Sequence, residues 1–116
     1  MRKRKQGRKF SRMAAPRRAL LDSLIRSLII KGRIQTTEAR AKETQRLTEK
    51  LITKTRTGSM AARRYAALHL DARATKKLLD EVAPRYKHRN GGYTRVIKLG
   101  IRESDSARTA ILEFVQ

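Results

Sequence analysis

The side chains able to do chemistry in this sequence are cations. Nine fall within the first eighteen residues, Arg2, Lys3, Arg4, Lys5, Arg8, Lys9, Arg12, Arg17 and Arg18, with no acid among them. Lys42, Arg46, Lys50 and Lys54 recur at four-residue intervals, a spacing that places them on one side of a helix. A third group, Arg85, Lys87, Arg89 and Arg95, surrounds Gly91-Gly92 in company with Tyr86 and Tyr93. Residues of these types recognise anions. Guanidinium groups fork onto phosphates or stack on bases, and ammonium groups act as point charges. A tyrosine beside them can stack on a base or ribose, and a glycine pair permits close backbone approach.

Other chemistries lack their residues. The chain has no Cys and two His, which excludes disulfide scaffolds, thiol catalysis and three-His metal sites. His69 has no ligand-type partner at metal spacing, so a surface or packing role is expected for it. The acids Asp22, Glu38, Glu43, Glu49, Asp71, Asp80, Glu81, Glu103, Asp105 and Glu113 are scattered rather than clustered, unlike the carboxylates that hold catalytic metals. No glycine-rich phosphate loop of a nucleotide enzyme is present. No enzymatic activity, cofactor or small-molecule substrate is expected.

The 116 residues hold 30 Lys+Arg against 10 Asp+Glu, a formal net charge of +20. This length suits one domain, and a hydrophobic share of 39% supports a modest core. A compact body so charged repels itself unless a polyanion neutralises it, and nucleic acid is the expected partner. No membrane partner is expected. The most apolar stretch, Leu20 to Ile30, is broken by Asp22 and Arg26, far short of the ~18 uncharged residues of a span. The basic, acid-poor start also has the composition of a mitochondrial transit peptide.

The elements that must position these cations follow from periodicity and punctuation. Like charges and Gly7 make the N-terminal stretch an extended arm. A solubilising tail is the plain alternative, but the charge density exceeds what solubility requires. Pro16 suits a first helical turn. Leu20, Leu21, Leu24, Ile25, Leu28 and Ile29 then form a wide apolar stripe, read as core, with a membrane-surface helix as the alternative. Lys31 and Gly32 are stop signals. Arg33 to Thr36 reads as a short edge strand. Thr36 or Thr37 caps a second helix to about Arg56, ended by Gly58. Its apolar side is Leu47, Leu51 and Ile52, beside Thr44 and Thr48. The cation ridge is a second side, where repeated like charges are unfavourable unless phosphates lie against them; a solvated face is the bland reading.

Ser59 caps a third helix, Met60 to Leu70, with Tyr65 and Leu68 toward the core and Arg63-Arg64 outward. Asp71 caps a fourth through Ala83, with Leu78, Leu79 and Val82 inward and Pro84 as its terminator. Arg85 to Gly92 is either an ordinary loop-to-strand turn or an RNA contact. Tyr93 to Ile101, with Ile97, Leu99 and Ile101 on one face, pairs in a hairpin with Thr109 to Val115, whose Ala110, Leu112 and Phe114 alternate against Ile111, Glu113 and Val115. The expected class is α+β: a small three-stranded sheet packed with about four helices, preceded by a basic arm. Residues 1–15 form the arm and 16–116 one globular domain. Cations dispersed over an arm, a ridge and a distant loop suit a large folded RNA. A basic DNA-binding or nucleoid-associated protein, reading one groove with a recognition helix, is the alternative.

Several blocks make the chain resemble the family of the seventeenth protein of the bacterial large ribosomal subunit. They are Met1-Arg2-Lys3-Arg4-Lys5-Gln6-Gly7-Arg8-Lys9-Phe10, Gly32-Arg33-Ile34-Gln35-Thr36-Thr37, Ala41-Lys42-Glu43, Val82-Ala83-Pro84-Arg85-Tyr86, Gly91-Gly92-Tyr93-Thr94-Arg95-Val96-Ile97-Lys98 and Ala110-Ile111-Leu112-Glu113. The resemblance implies a structural protein that binds 23S rRNA beside neighbouring large-subunit proteins, near the nascent-chain exit. It implies a ribosome of the bacterial cytoplasm or of a plastid, and, since the resemblance begins at Met1, no cleaved organelle presequence. Two stretches depart from the family's pattern. Ser11-Arg12-Met13-Ala14-Ala15-Pro16-Arg17 replaces an Asn-rich, Ser-Ser-His stretch, and Ser104 stands where Gly usually precedes Asp.

Overall fold

The computed structural model describes residues 8–116, so Arg2, Lys3, Arg4 and Lys5 lie outside the described residues. The chain runs through α1 (Ala14–Lys31), β1 (Arg33–Thr37), α2 (Glu38–Thr55), α3 (Met60–Ala67) and α4 (Ala72–Lys77). α4 continues through a π-helical turn (Leu78–Val82) into a last short turn, α5 (Ala83–Arg85), before the hairpin strands β2 (Thr94–Ile101) and β3 (Arg108–Phe114). The class is α+β. The three strands pair antiparallel in the order β1-β3-β2, so β1 is an edge strand as expected.

Local signals place the helix ends. Thr37 Oγ1 accepts from the Arg40 N–H at 3.4 Å, Ser59 Oγ from Ala62 at 3.1 Å and Asp71 Oδ1 from Ala74 at 2.9 Å, which satisfies one otherwise orphaned donor per helix. Gly32 ends α1 with φ at +85°, and its N–H donates to Leu28 O at 2.7 Å. A side chain there would have to adopt a left-handed backbone that only glycine enters freely. α1 begins at Ala14, with Pro16 inside its first turn. Arg17 and Arg18 therefore ride on the helix rather than on an arm.

One core joins these elements. Leu21, Ile25, Leu28 and Ile29 of α1 are buried, with Leu20 and Leu24 half-buried. Ile25, Leu28 and Ile29 join Leu51 and Ile52 of α2, Leu70, Leu78, Val82, Tyr86, Tyr93, and the inward β3 residues Ala110, Leu112 and Phe114 in one cluster. α2 lies against β2 and β3 and buries Ala41, Thr44, Thr48 and Thr55 beside its leucine and isoleucine. Leu47, expected inside, is half-buried. Two side-chain pairs tie α1 to the turn between α3 and α4: Arg26 Nε to Asp71 Oδ2 at 2.6 Å, and His69 Nδ1 to Asp22 Oδ1 at 3.2 Å. His69 also meets the Tyr65 ring edge-on at 5.4 Å between centroids.

Three expectations are corrected. α3 ends at Ala67, not Leu70, because Leu68 N–H and His69 N–H bond back three residues, to Tyr65 O and Ala66 O. Its buried line is Ala62, Ala66 and then Leu70, and Leu68 is 77% exposed. Two residues past Ala66, Leu68 is rotated about 200° to the opposite side. Pro84 does not terminate the fourth helix, which passes through it to Arg85. A proline inside a helix clashes with the carbonyl four residues back; here the π turn widens the spiral just before it, and the Ala83 N–H reaches Leu78 O. On β2, Ile97 is exposed on the sheet's outer face, Leu99 is the exposed, unpaired residue of a bulge, and Ile101 does not share the face of Ile97. The bulge between Lys98 and Gly100 shifts the register, so Ile97 opposes Ile111 while Ile101 opposes Arg108. An extra residue in one strand reverses the alternation beyond it.

Candidate nucleic-acid interface

The ridge on α2 exists as a surface feature. Lys42, Arg46, Lys50 and Lys54 are all exposed, and at 1.5 Å per residue they span about 18 Å along the helix. Neighbours hold three of them. Lys42 Nζ is 2.9 Å from Glu38 Oε1, Arg46 Nη2 is 3.2 Å from Glu43 Oε2, and Lys54 Nζ sits 4.5 Å above the Tyr65 ring. Among the described residues no carboxylate lies within ion-pair distance of Lys50. The hydrogen bond from Lys42, together with the charges of Lys42, Lys98 and Arg108, holds the Glu38 carboxyl below its ordinary range. The cationic halves of both ion pairs are open to water, where such pairs contribute little, so Lys42 and Arg46 can exchange their carboxylates for phosphates. Arg63 and Arg64, immediately before Tyr65 on α3, are exposed as the sequence led us to expect.

The N-terminal cations in view also face water. Arg8, Lys9, Arg12 and Arg18 are exposed and Arg17 is half-buried. Between Lys9 and Arg12 the chain makes a tight turn, with Phe10 and Ser11 at φ of 51° and 53° and Arg12 N–H donating to Lys9 O at 3.1 Å. Arg12 Nη1 donates to Phe10 O at 2.9 Å.

The segment after α5 differs most from expectation. Arg85, Lys87 and Arg89 are exposed, and Arg85 and Arg89 line one open cleft with Tyr86 and Gln116. Both tyrosines, however, are inside. Tyr86 is 2% exposed and Tyr93 is fully buried, so neither presents a ring face for a base to stack on. They pack on one another at 5.1 Å between centroids, and Tyr86 packs on Phe114 at 6.5 Å. The Tyr86 hydroxyl donates to Val115 O, and burial raises its pKa above the ordinary tyrosine value. The apolar rings are worth more in the core than on the surface, and the hydroxyls find partners at its rim. Arg95 is exposed on the outer face of the sheet, apart from the cleft. Its Nε is 2.7 Å from Glu113 Oε1, and Arg33 Nε approaches the same carboxylate at 3.9 Å.

Sequence reasoning missed Arg56 and Thr53. Arg56 Nη1 donates to Arg89 O and lies 3.3 Å from Asn90 Oδ1. Thr53 Oγ1 is 3.1 Å from the Tyr93 hydroxyl, which donates to Arg89 O at 3.1 Å. Nothing in the local sequence marks these residues, since their partners lie more than thirty positions away. Among the described residues no group of His, Asp and Glu could hold a metal ion, and no helix is long and apolar enough to cross a membrane.

Comparison with known proteins supplies a family for this small core under a cationic surface. A family model described as Ribosomal protein L17 matches residues 20–115. The chain is 47% identical to the large ribosomal subunit protein bL17 of Oenococcus oeni, over 93% of this chain and 97% of that one. It is 51% identical to the bL17 of Thermodesulfovibrio yellowstonii, over 99% of this chain and 87% of its relative. It is 50% identical to the bL17 of Caldanaerobacter subterraneus subsp. tengcongensis, over 93% and 97% of the two chains. With a family model covering most of its length and relatives near half identity along almost all of it, the chain belongs to the ribosomal protein L17 family.

Proposed function

We propose that this chain is a structural constituent of the large ribosomal subunit that binds 23S rRNA near the nascent-chain exit, beside neighbouring large-subunit proteins. The observation that carries the reading is family membership, joined to an exposed and dispersed set of cations on a folded body. The protein catalyses nothing; its mechanism is phosphate neutralisation and shape fit. Arm cations Arg2, Lys3, Arg4, Lys5, Arg8, Lys9 and Arg12 enter between RNA segments, while Arg17, Arg18, the α2 ridge, the Arg85–Arg89 cleft, Lys87 and Arg95 meet phosphates at the surface of the body. Each contact releases condensed counterions, which supplies most of the affinity. The dispersion of the cations over α1, α2 and the loop after α5 supports a folded RNA rather than a single DNA groove.

Sedimentation of the tagged chain in a bacterial extract tests the reading. Co-migration with large-subunit particles is expected, together with crosslinks to 23S rRNA and to a polypeptide emerging from the same particle. A chain that stays at the top of the gradient, or that prefers duplex DNA over 23S rRNA in competition, defeats it.

A further inference from the structure

The Arg85–Gly92 segment looks like a flexible basic loop in sequence, yet its backbone is pinned at one atom. The carbonyl oxygen of Arg89 accepts from the Tyr93 hydroxyl and from Arg56 Nη1. The first donor is fixed in turn by Thr53 Oγ1, 3.1 Å from the same hydroxyl, and by its buried ring on Tyr86. The second reaches from the end of α2 and also approaches Asn90 Oδ1 at 3.3 Å. Within the segment, Arg89 Nε donates to Gly91 O at 3.2 Å, and Arg89 N–H to Tyr86 O at 3.0 Å. Gly91 and Gly92, at φ of 152° and 63°, let the chain turn directly from this anchor into the buried Tyr93. The anchor leaves the cationic side chains of Arg85, Lys87 and Arg89 exposed.

We infer that Tyr93, Arg56 and Thr53 are positioning residues that lock the Arg85–Gly92 segment into a preformed phosphate-binding loop. The inference rests on the RNA-binding reading above and deepens it: the ligand is the sugar–phosphate backbone of a folded RNA. Tyr93 acts without touching it. A mobile loop of like charges would lose its freedom on binding, and that cost would subtract from affinity. A loop already held in one conformation loses little.

The full-length chain, a 23S rRNA transcript as probe and filter binding between 50 and 200 mM KCl test this. Trypsin clipping after Lys87 and Arg89 reports loop order. Tyr93→Phe removes one hydroxyl and no charge. Clipping should rise severalfold and affinity fall about five- to tenfold, as lost preorganisation requires. The slope of log affinity against log salt should not change, because no phosphate contact is removed. Arg89→Ala removes a contact and should lower that slope by about 0.9. Arg56→Lys keeps the charge but not the guanidinium nitrogen that reaches both Arg89 O and Asn90 Oδ1, lies outside the core, and should repeat the Tyr93→Phe pattern in a fold that is not at risk. Raised clipping with unchanged affinity in both variants overturns the inference, as does a lower salt slope for Tyr93→Phe. If the parent chain fails to bind the transcript, the RNA reading itself fails, whereas the clipping rates still decide whether the network holds the loop.

Discussion

Arg102 and Asp105 close the hairpin turn with a two-pronged pair, Nε to Oδ1 at 2.9 Å and Nη2 to Oδ2 at 2.6 Å. The Asp105 carboxyl also accepts from the Ala107 N–H at 3.1 Å. The hydrogen bond from Arg102, reinforced by that of Ala107, lowers its pKa to about 2. An unfolded Asp titrates near ~3.9, so the native state holds its proton more weakly than the unfolded chain. Its contribution to stability is therefore complete above about pH 4 and is lost as the pH falls toward 2. Asp71, held down by the Ala74 N–H and Arg26, and Glu38, held down by Lys42, act in the same direction. Carboxyl carbon NMR should give Asp105 a midpoint near 2, and Arg102→Ala should move it up toward the ordinary aspartate range. At the opposite extreme, the hydroxyls of Thr44 and Thr48 are buried with no hydrogen-bond partner among the described residues. Thr44→Val keeps the shape and removes a desolvated polar atom, so it should stabilise the fold by about 1 kcal/mol in urea unfolding.

Among the helices, position relative to the core decides what a leucine is worth. Leu28 is fully buried on α1, and Leu68, just past α3, is 77% exposed. Leu28→Ala should cost about 3 kcal/mol through lost transfer energy and a residual cavity, while Leu68→Ala should stay within about 0.5 kcal/mol; paired urea titrations check both. The same contrast explains which features were legible in the sequence. The caps at Thr37, Ser59 and Asp71 and the stop at Gly32 were readable, because each is made within four residues of itself. The stripe of α1 was readable because six apolar residues repeat in helical register. Leu68 was not, because the side that is buried is set by the small residues Ala62 and Ala66, whose apolar signal is weaker than that of a leucine two positions away. Ile101 follows a bulge residue that inverts the strand's alternation, and its one local mark is Gly100, at a φ of 109°. The passage of a helix through Pro84 depends on a π turn that propensity does not reveal. Within the candidate site, exposed cations on the ridge and loop were visible from spacing alone. The inward turn of Tyr86 and Tyr93 was not, since the apolar partners that cover them come from β3.

Across the whole molecule, salt must act in opposite directions on folding and on RNA binding. The body holds most of a +20 surplus, and among the described residues acids pair with only part of it. Self-repulsion of the remainder destabilises the compact state, and ions screen it: the screening length shortens from about 14 Å at 50 mM to about 7 Å at 200 mM, the scale of spacing between neighbouring surface cations. The free chain should therefore melt at a higher temperature in 200 mM salt than in 50 mM. Binding responds the other way. If about six phosphates are neutralised, affinity for 23S rRNA should fall on the order of a thousandfold over the same range. Deleting residues 1–12 separates the contributions. Those residues make no core contact among the positions in view, so circular dichroism should be unchanged, and loss of seven arm cations should flatten the salt slope of binding while reducing the salt dependence of melting. Melting temperature and affinity that rise and fall together with salt would show that the surplus charge is not held in reserve for a polyanion; opposite signs, both weakened by the deletion, are what a body built to be neutralised by RNA requires.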